Sequence, residues 1–147
     1  MRKDEEPVVV VQDYPCSAAL LWEAITDIER MRHWYFDSIA EFRAEVGFKT
    51  RFDVDTGERI FPHRWEVVEV APGRKIAYDW CFDGYPGSSL SIFEVSGDDA
   101  SSRLTLSCVV SEDFPDDIAE FTRDSCLSGW NYFIKDRLKT YLQSVSQ

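Results

Sequence analysis

The spacing of apolar residues changes along the chain, and this change limits the folds that the sequence can adopt. From Ser38 to Val110 apolar residues recur at every second position, the period of a β-strand with one buried face. Turn signals such as Asp55-Thr56-Gly57 and Pro72-Gly73 interrupt this stretch. After Pro115 the apolar residues recur at steps of three and four, as in an amphipathic helix. The sequence therefore predicts an antiparallel meander followed by one long helix.

A short strand and two short helices are predicted ahead of this meander. Val8 to Gln12 has the composition of a strand, and Ser17 is a candidate N-cap for a helix that runs to about Thr26. Met31 and Trp34 continue at helical spacing, which indicates a second short helix. The first elements are thus one strand and two helices.

The segment from Arg59 to Val70 does not alternate cleanly, because Pro62 interrupts it and Val67 and Val68 are both apolar. We expect a β-bulge or an edge strand there. About seven strands are expected in all, including the first. Since no repeat or linker divides the sequence, residues 1–147 are predicted to form a single domain.

The last helix is predicted to open at a capping box formed by Asp117 and Glu120. Ile118 and Phe121 lie off the main apolar stripe of this helix, so its first turns are expected to pack on a different surface. The stripe itself consists of Cys126, Trp130, Phe133, Ile134, Leu138 and Tyr141.

Composition and motifs exclude several classes of function. A net charge of -11 repels nucleic acid and anionic membrane surfaces. The early apolar run from Val8 to Val11 is far shorter than the ~20 residues of a membrane span, so we expect a cytoplasmic protein without membrane insertion. The four cysteines are scattered and are expected to be reduced thiols. No metal site, cofactor or catalytic residue is predicted, because no motif for one occurs.

Three segments resemble one known superfamily. They are the opening VVVQDYPCSAALLWEAITDIERMRHW, the central RWEVVEVAPGRKIAYDW and the late GWNYFIKDRL. They are similar to the START-like (SRPBCC) superfamily and, within it, to the branch of homologues of the activator of heat-shock-protein-90 ATPase. The resemblance spans nearly the whole chain. It implies an α+β helix-grip (START-like/Bet-v-like) fold, in which an antiparallel sheet of about seven strands wraps around a long C-terminal helix.

The resemblance also implies a cavity between the sheet and the last helix, which the superfamily uses for lipids, sterols, polyketides and other apolar molecules. Tyr78 and Trp80 carry polar tips that can orient a ligand inside an apolar cavity. Arg137 is expected either to meet a ligand carboxylate or to extend to water. Core packing is the simpler role for any single aromatic candidate, whereas the set as a whole is expected to form both core and pocket. The predicted ligand-binding residues are Trp65, Tyr78, Trp80, Phe93, Leu106, Trp130, Phe133, Ile134 and Arg137.

Three functions fit these observations. The first is binding of a small, mostly hydrophobic ligand in the cavity, by a monomer or homodimer. The second is a cyclase- or aromatase-like enzyme in which His63, Tyr78 or Asp79 moves protons, although His63 is more simply explained as a structural residue. The third, suggested by the resemblance, is interaction with a chaperone as a co-factor of the heat-shock-protein-90 ATPase.

Overall fold

The structure is a computed structural model, and it describes residues 1–145. The predicted strand and two helices open the chain, and Ser17 is the N-cap of the first helix because its side chain accepts a hydrogen bond from the Leu20 N–H. The strands are β1 Val8–Tyr14, β2 Lys49–Asp55, β3 Ile60–Ala71, β4 Lys75–Phe82, β5 Ser88–Gly97 and β6 Ser102–Glu112. The helices are α1 Ala18–Thr26, α2 Ile28–Trp34, α3 Arg123–Asn131 and α4 Leu138–Val145, with a π-helical turn at Tyr132–Arg137 between the last two.

The strands form one antiparallel sheet in the order β1-β6-β5-β4-β3-β2. Residues 1–145 contain six strands, whereas about seven were expected, because residues 35–48 form none. In this segment the guanidinium of Arg32 donates hydrogen bonds to the carbonyls of Ile39 and Ala40, at 3.0 and 2.9 Å. These carbonyls are therefore satisfied without a neighbouring strand.

The irregular segment is an interior strand with a bulge. β3 lies between β2 and β4, and its register with β4 shifts between Val67 and Glu69. Val67 is buried, whereas Val68 and Glu69 are both exposed, so the bulge places two consecutive residues on the outer face. The predicted bulge is thus confirmed, and the edge position is wrong.

The C-terminal helix begins later than the capping box predicted. Asp117 does not cap it. Residues Ala119–Phe121 form a single 3-10 turn, and the helix starts at Arg123 with Thr122 as its N-cap. The helix turn that Glu120 was expected to close does not form; Glu120 instead pairs with Arg59, and Phe121 packs into a separate aromatic cluster.

A π-helical turn interrupts this helix at Tyr132–Arg137. The hydroxyl of Tyr14, on β1, donates a hydrogen bond of 2.5 Å to the backbone carbonyl of Ile134 inside the turn. An acceptor used in this way is lost to the regular helical ladder, which is one of the known causes of such interruptions. The bond also fastens the helix to the sheet.

The apolar interior has two parts. The larger core packs the inner face of the sheet, which is the face turned toward the helices, against α1, α2 and the C-terminal helix. A smaller group, here called the distal cluster, contains Phe61, Phe114 and Phe121 with Met1, Phe82, Tyr85, Val110 and Ile118 around them. No helix among residues 1–145 is long and apolar enough to cross a membrane.

Candidate functional site

A cavity of about 140 Å³ lies between the larger core and the distal cluster. The inner face of β4, β5 and β6 forms one side, and the start of the C-terminal helix forms the other. The cavity is partly open to solvent. Its lining residues are Met1, Phe36, Trp80, Phe82, Ser89, Ser91, Cys108, Phe114, Glu120, Phe121, Ser125, Cys126, Gly129, Trp130 and Phe133.

Small residues on the sheet create one side of this space. On the inner face of β5, Phe93 is followed toward the distal cluster by Ser91. On β6, Leu106 is followed in the same direction by Cys108. The register pairs Phe93 with Leu106 and Ser91 with Cys108, so side-chain volume falls at the same level on both strands. Side-chain volume on the inner face of the sheet is therefore low along a whole row of residues rather than at one position.

Small residues on the helix face this row. Ser125, Cys126 and Gly129 line the cavity from α3, whereas the next buried helix residue after Trp130 is the larger Ile134. A Cβ atom placed on Gly129 meets no atom within 4 Å. The two facing surfaces thus both lack side-chain volume at the same place, which leaves a void that close packing would otherwise fill.

Aromatic rings frame the void. The rings of Trp80 and Trp130 meet edge to face with centroids 5.5 Å apart, and Phe36 and Phe133 meet in the same way at 5.0 Å. On the side of the distal cluster, the centroids of Phe82 and Phe121 are 5.0 Å apart. Such walls bind flat apolar molecules by contact and by edge-to-face packing.

Two thiols meet across the cavity wall. The Cys126 Sγ, on α3, donates a weak hydrogen bond to the Cys108 Sγ, on β6, over 3.9 Å. This hydrogen bond, together with burial, raises the pKa of Cys126. All four cysteines, which are Cys16, Cys81, Cys108 and Cys126, are free, and among residues 1–145 no group of metal-binding side chains occurs.

The structure places the predicted ligand-binding residues in three settings. Trp80, Trp130 and Phe133 line the cavity. Arg137 does not line it, because its guanidinium donates to the His33 carbonyl at 2.8 Å and thereby caps the end of α2. The remaining five are at most 1% exposed and belong to the larger core: Trp65, Tyr78, Phe93, Leu106 and Ile134.

Tyr35, which follows α2, explains why those core residues do not face a void. Its ring lies 5.3 Å from Trp65 and 6.5 Å from Phe93, centroid to centroid. Its hydroxyl shares a hydrogen bond of 2.8 Å with the hydroxyl of Tyr78, and burial raises the pKa of both groups well above the usual range. The polar tip expected to orient a ligand is therefore already satisfied by the protein.

The three residues considered for proton transfer do not line the cavity. The imidazole Nδ1 of His63 lies 2.9 Å from the Phe61 carbonyl, and burial lowers the pKa of His63 to about 4. Asp79 lies on the opposite face of β4 from Tyr78, where burial and then the nearby Glu66 raise the pKa of its carboxyl group. Because burial holds its pKa so low, the imidazole of His63 is neutral at pH 7, and its contact with the Phe61 carbonyl fits a structural role.

Most lining residues were not predicted, because sequence reasoning looked for large apolar side chains. The missed signal lies in the alternation of β5, where Ser89 and Ser91 occupy the inner positions that Phe93 and Val95 occupy further along. Small residues at inner positions mark a place where the core is incomplete. Phe114 and Phe121 were missed for a different reason, since they come from an irregular segment whose position no periodicity predicts.

Comparison with known proteins shows the family of this chain. Residues 15–143 match the family model described as Activator of Hsp90 ATPase homolog 1-like protein. No curated protein matches the chain.

Solved structures show the same fold. The chain is similar to DynU16, a protein in the dynemicin biosynthetic locus, with a TM-score of 0.75 and 24% identity over 97% of this chain, and it spans 49% of the DynU16 chain. It is similar to CV1439 from Chromobacterium violaceum, with a TM-score of 0.76 and 18% identity over 92% of this chain and 95% of that one. CalU16 from Micromonospora echinospora has a TM-score of 0.68 and 18% identity over 92% of this chain and 73% of its own. With its helix-grip fold and its match over residues 15–143, the chain belongs to the activator of Hsp90 ATPase homologue 1-like family of the START-like superfamily.

Proposed function

We propose that this protein binds a small, mostly apolar molecule in the cavity that Trp80, Ser91 and Gly129 line. The observation that carries the proposal is the matched loss of side-chain volume on β5, β6 and α3, which leaves about 140 Å³ inside an aromatic frame. An engineered apolar cavity of about 150 Å³ in another protein binds benzene, so this volume suits a molecule with about one ring. The similarity to a protein from a biosynthetic locus supports a role with small molecules.

The expected affinity is modest for so small a ligand. A ring that loses about 150 Å² of apolar surface gains roughly 4 kcal/mol, at about 25 cal/mol per Å². A gain of about 4 kcal/mol corresponds to a Kd of about 1 mM, and lost translational freedom offsets part of it, so a bare ring binds more weakly than about 1 mM. Tighter binding requires polar contacts or a ligand that extends through the open side of the cavity.

The proposal is tested by titrating toluene into the protein and following backbone amide shifts by NMR. We expect saturable shifts at Ser91, Cys108 and Gly129. The variant Gly129→Leu fills the cavity, because the Gly129 Cβ position is open, and is expected to weaken toluene binding at least about tenfold. Ser128→Leu adds the same side chain to an exposed neighbour and serves as the control. Unchanged binding in Gly129→Leu, or no shifts in the unmodified protein, would contradict the proposal.

The other two functions, and a cytoplasmic location, stay predictions from the sequence. An enzymatic role through His63, Tyr78 or Asp79 gains no support, since none of them lines the cavity. The chaperone role is suggested by the family and is tested separately, by measuring whether this protein raises the ATPase rate of heat-shock protein 90. An unchanged ATPase rate would argue against that role and would leave ligand binding unaffected.

A further inference from the structure

Three residues in the cavity wall contain buried polar atoms without a hydrogen-bond partner among residues 1–145. They are the indole Nε1 of Trp80, the hydroxyl Oγ of Ser91 and the carboxylate Oε1 of Glu120. Ser91 is 0% exposed, and no group among residues 1–145 supplies a partner to its hydroxyl. Buried polar groups in folded proteins are nearly always hydrogen-bonded. A fourth such atom, the indole Nε1 of Trp65, lies in the larger core, and the other three belong to residues around one cavity, where a bound molecule would supply their partners.

The chemistry of the three atoms restricts that molecule. An indole N–H only donates, a carboxylate oxygen only accepts, and a hydroxyl does both. Trp80 therefore requires an acceptor on the ligand, and Glu120 requires a donor. A neutral hydroxyl group supplies both, whereas an ammonium group supplies no acceptor and a carboxylate supplies no donor.

Charge also disfavours a ligand with a carboxylate group. The Oε2 atom of Glu120 pairs with Arg59 Nε at 3.3 Å, which fixes this carboxylate at the cavity and leaves Oε1 free. A ligand carboxylate facing Oε1 would place two acceptors of like charge side by side with no proton to share between them. The net charge of -11 on the whole protein also repels anions before they bind.

We infer that the ligand is a neutral molecule with an apolar, ring-sized body and a hydroxyl group that hydrogen-bonds to the wall formed by Trp80, Ser91 and Glu120. The inference rests on the proposed function, since it names the class of molecule that occupies the same cavity. The hydroxyl selects the ligand, and the aromatic frame supplies the apolar contact.

Four ring-sized probes separate these contributions: phenol, toluene, benzoate and benzylammonium, each titrated at pH 7 by NMR. Phenol is expected to bind about tenfold more tightly than toluene, the effect of about one hydrogen bond to a charged group. Apolar contact alone predicts the reverse order, because toluene is the more hydrophobic of the two. Toluene binding as tightly as phenol, or tighter binding of benzoate or benzylammonium, would overturn the inference and leave the proposed function standing. If none of the four binds, both proposals fail.

Two variants test the named atoms. Ser91→Ala and Glu120→Gln are each expected to weaken phenol binding about threefold to tenfold while toluene affinity stays within about twofold. Ser96→Ala, at an exposed position of the same strand, is the control and should change neither affinity. Equal loss of phenol and toluene affinity in Ser91→Ala or Glu120→Gln would assign these residues a merely structural role and overturn the inference. Unchanged phenol affinity in both variants would do the same.

Discussion

The space between the inner face of the sheet and the C-terminal helix has two halves. The same strands and the same helix border both halves, but side chains fill only one of them. In the packed half, formed by Tyr78, Phe93, Leu106 and Ile134, every one of these side chains is at most 1% exposed. In the open half, formed by Trp80, Ser91, Cys108 and Gly129, the same strands and the C-terminal helix enclose a cavity. The difference arises from side-chain volume at a few aligned positions, because the backbone continues from one half to the other. In this fold, therefore, the place of the cavity is set by those residues rather than by the architecture.

The largest expected effect is a difference in how much stability the protein loses when a side chain is removed from each half. Phe93→Ala, in the packed half, should lower the free energy of unfolding by about 3–5 kcal/mol, since it opens a new cavity in a close-packed core. Phe133→Ala, at the edge of the open half, should lose less than about half as much, because its ring is partly buried and already borders a void. Urea denaturation of both variants measures the difference. Equal losses would mean that the two halves are packed alike.

A pH titration reports whether water reaches the border of the open half. His63 lies there, with its ring 5.4 Å from Trp80 and 4.7 Å from Phe82, centroid to centroid. Burial lowers the pKa of His63 to about 4 in the folded protein, whereas an unfolded chain takes up the proton near 6.5. Below pH 6.5 the unfolded state thus binds more protons, and the folded state loses up to about 3 kcal/mol as the pH falls to 4.

The His63 contribution is isolated by comparison with His63→Phe, whose ring suits the surrounding aromatic residues but does not titrate. The stability difference between the two proteins, from urea denaturation at several pH values, should change by about 3 kcal/mol between pH 6.5 and 4. Acidic groups contribute equally to both proteins and cancel. A difference independent of pH would show that water reaches this border and that His63 titrates normally.

The smallest expected effect compares two glycines. Gly129→Ala, in the open half, should raise the free energy of unfolding by about 0.5–1 kcal/mol, because alanine favours the helix and its Cβ meets no atom within 4 Å. Gly87→Ala, beside the distal cluster, should be destabilising, since its φ of +109° strains alanine and the added Cβ overlaps the ring of Phe114. Thermal unfolding of both variants checks the opposite signs. Destabilisation by Gly129→Ala would indicate that the open half is filled.

Local signals in the sequence were sufficient for the fold. The change from period two to steps of three and four predicted the meander and the last helix, and the helix stripe correctly placed Trp130 and Phe133 toward the sheet. These features depend only on neighbouring residues along one element. Features that depend on distant partners were missed. The late start of the helix is accompanied by the pairing of Glu120 with Arg59, and the π-helical turn by the bond from Tyr14 to Ile134.

The site was predicted only in part because a cavity is an absence of side-chain volume. Strand and helix faces indicated Trp80, which lines the cavity, but they equally indicated Tyr78, and no pattern shows that Tyr35 fills the space beside it. Periodicity records which positions face inward and takes no account of whether the facing residues meet. Small residues at aligned inner positions, such as Ser91 and Gly129, are the signal that would have located the cavity.

The central claim is that the open half holds a small apolar molecule. It is tested most directly by a crystal structure of the protein soaked with bromobenzene, in which anomalous scattering locates the bromine atom. We predict a bromine peak among Trp80, Trp130 and Gly129, with the packed half unchanged. A structure in which side chains fill the space between β5 and α3, with no bromine peak there, would contradict the claim.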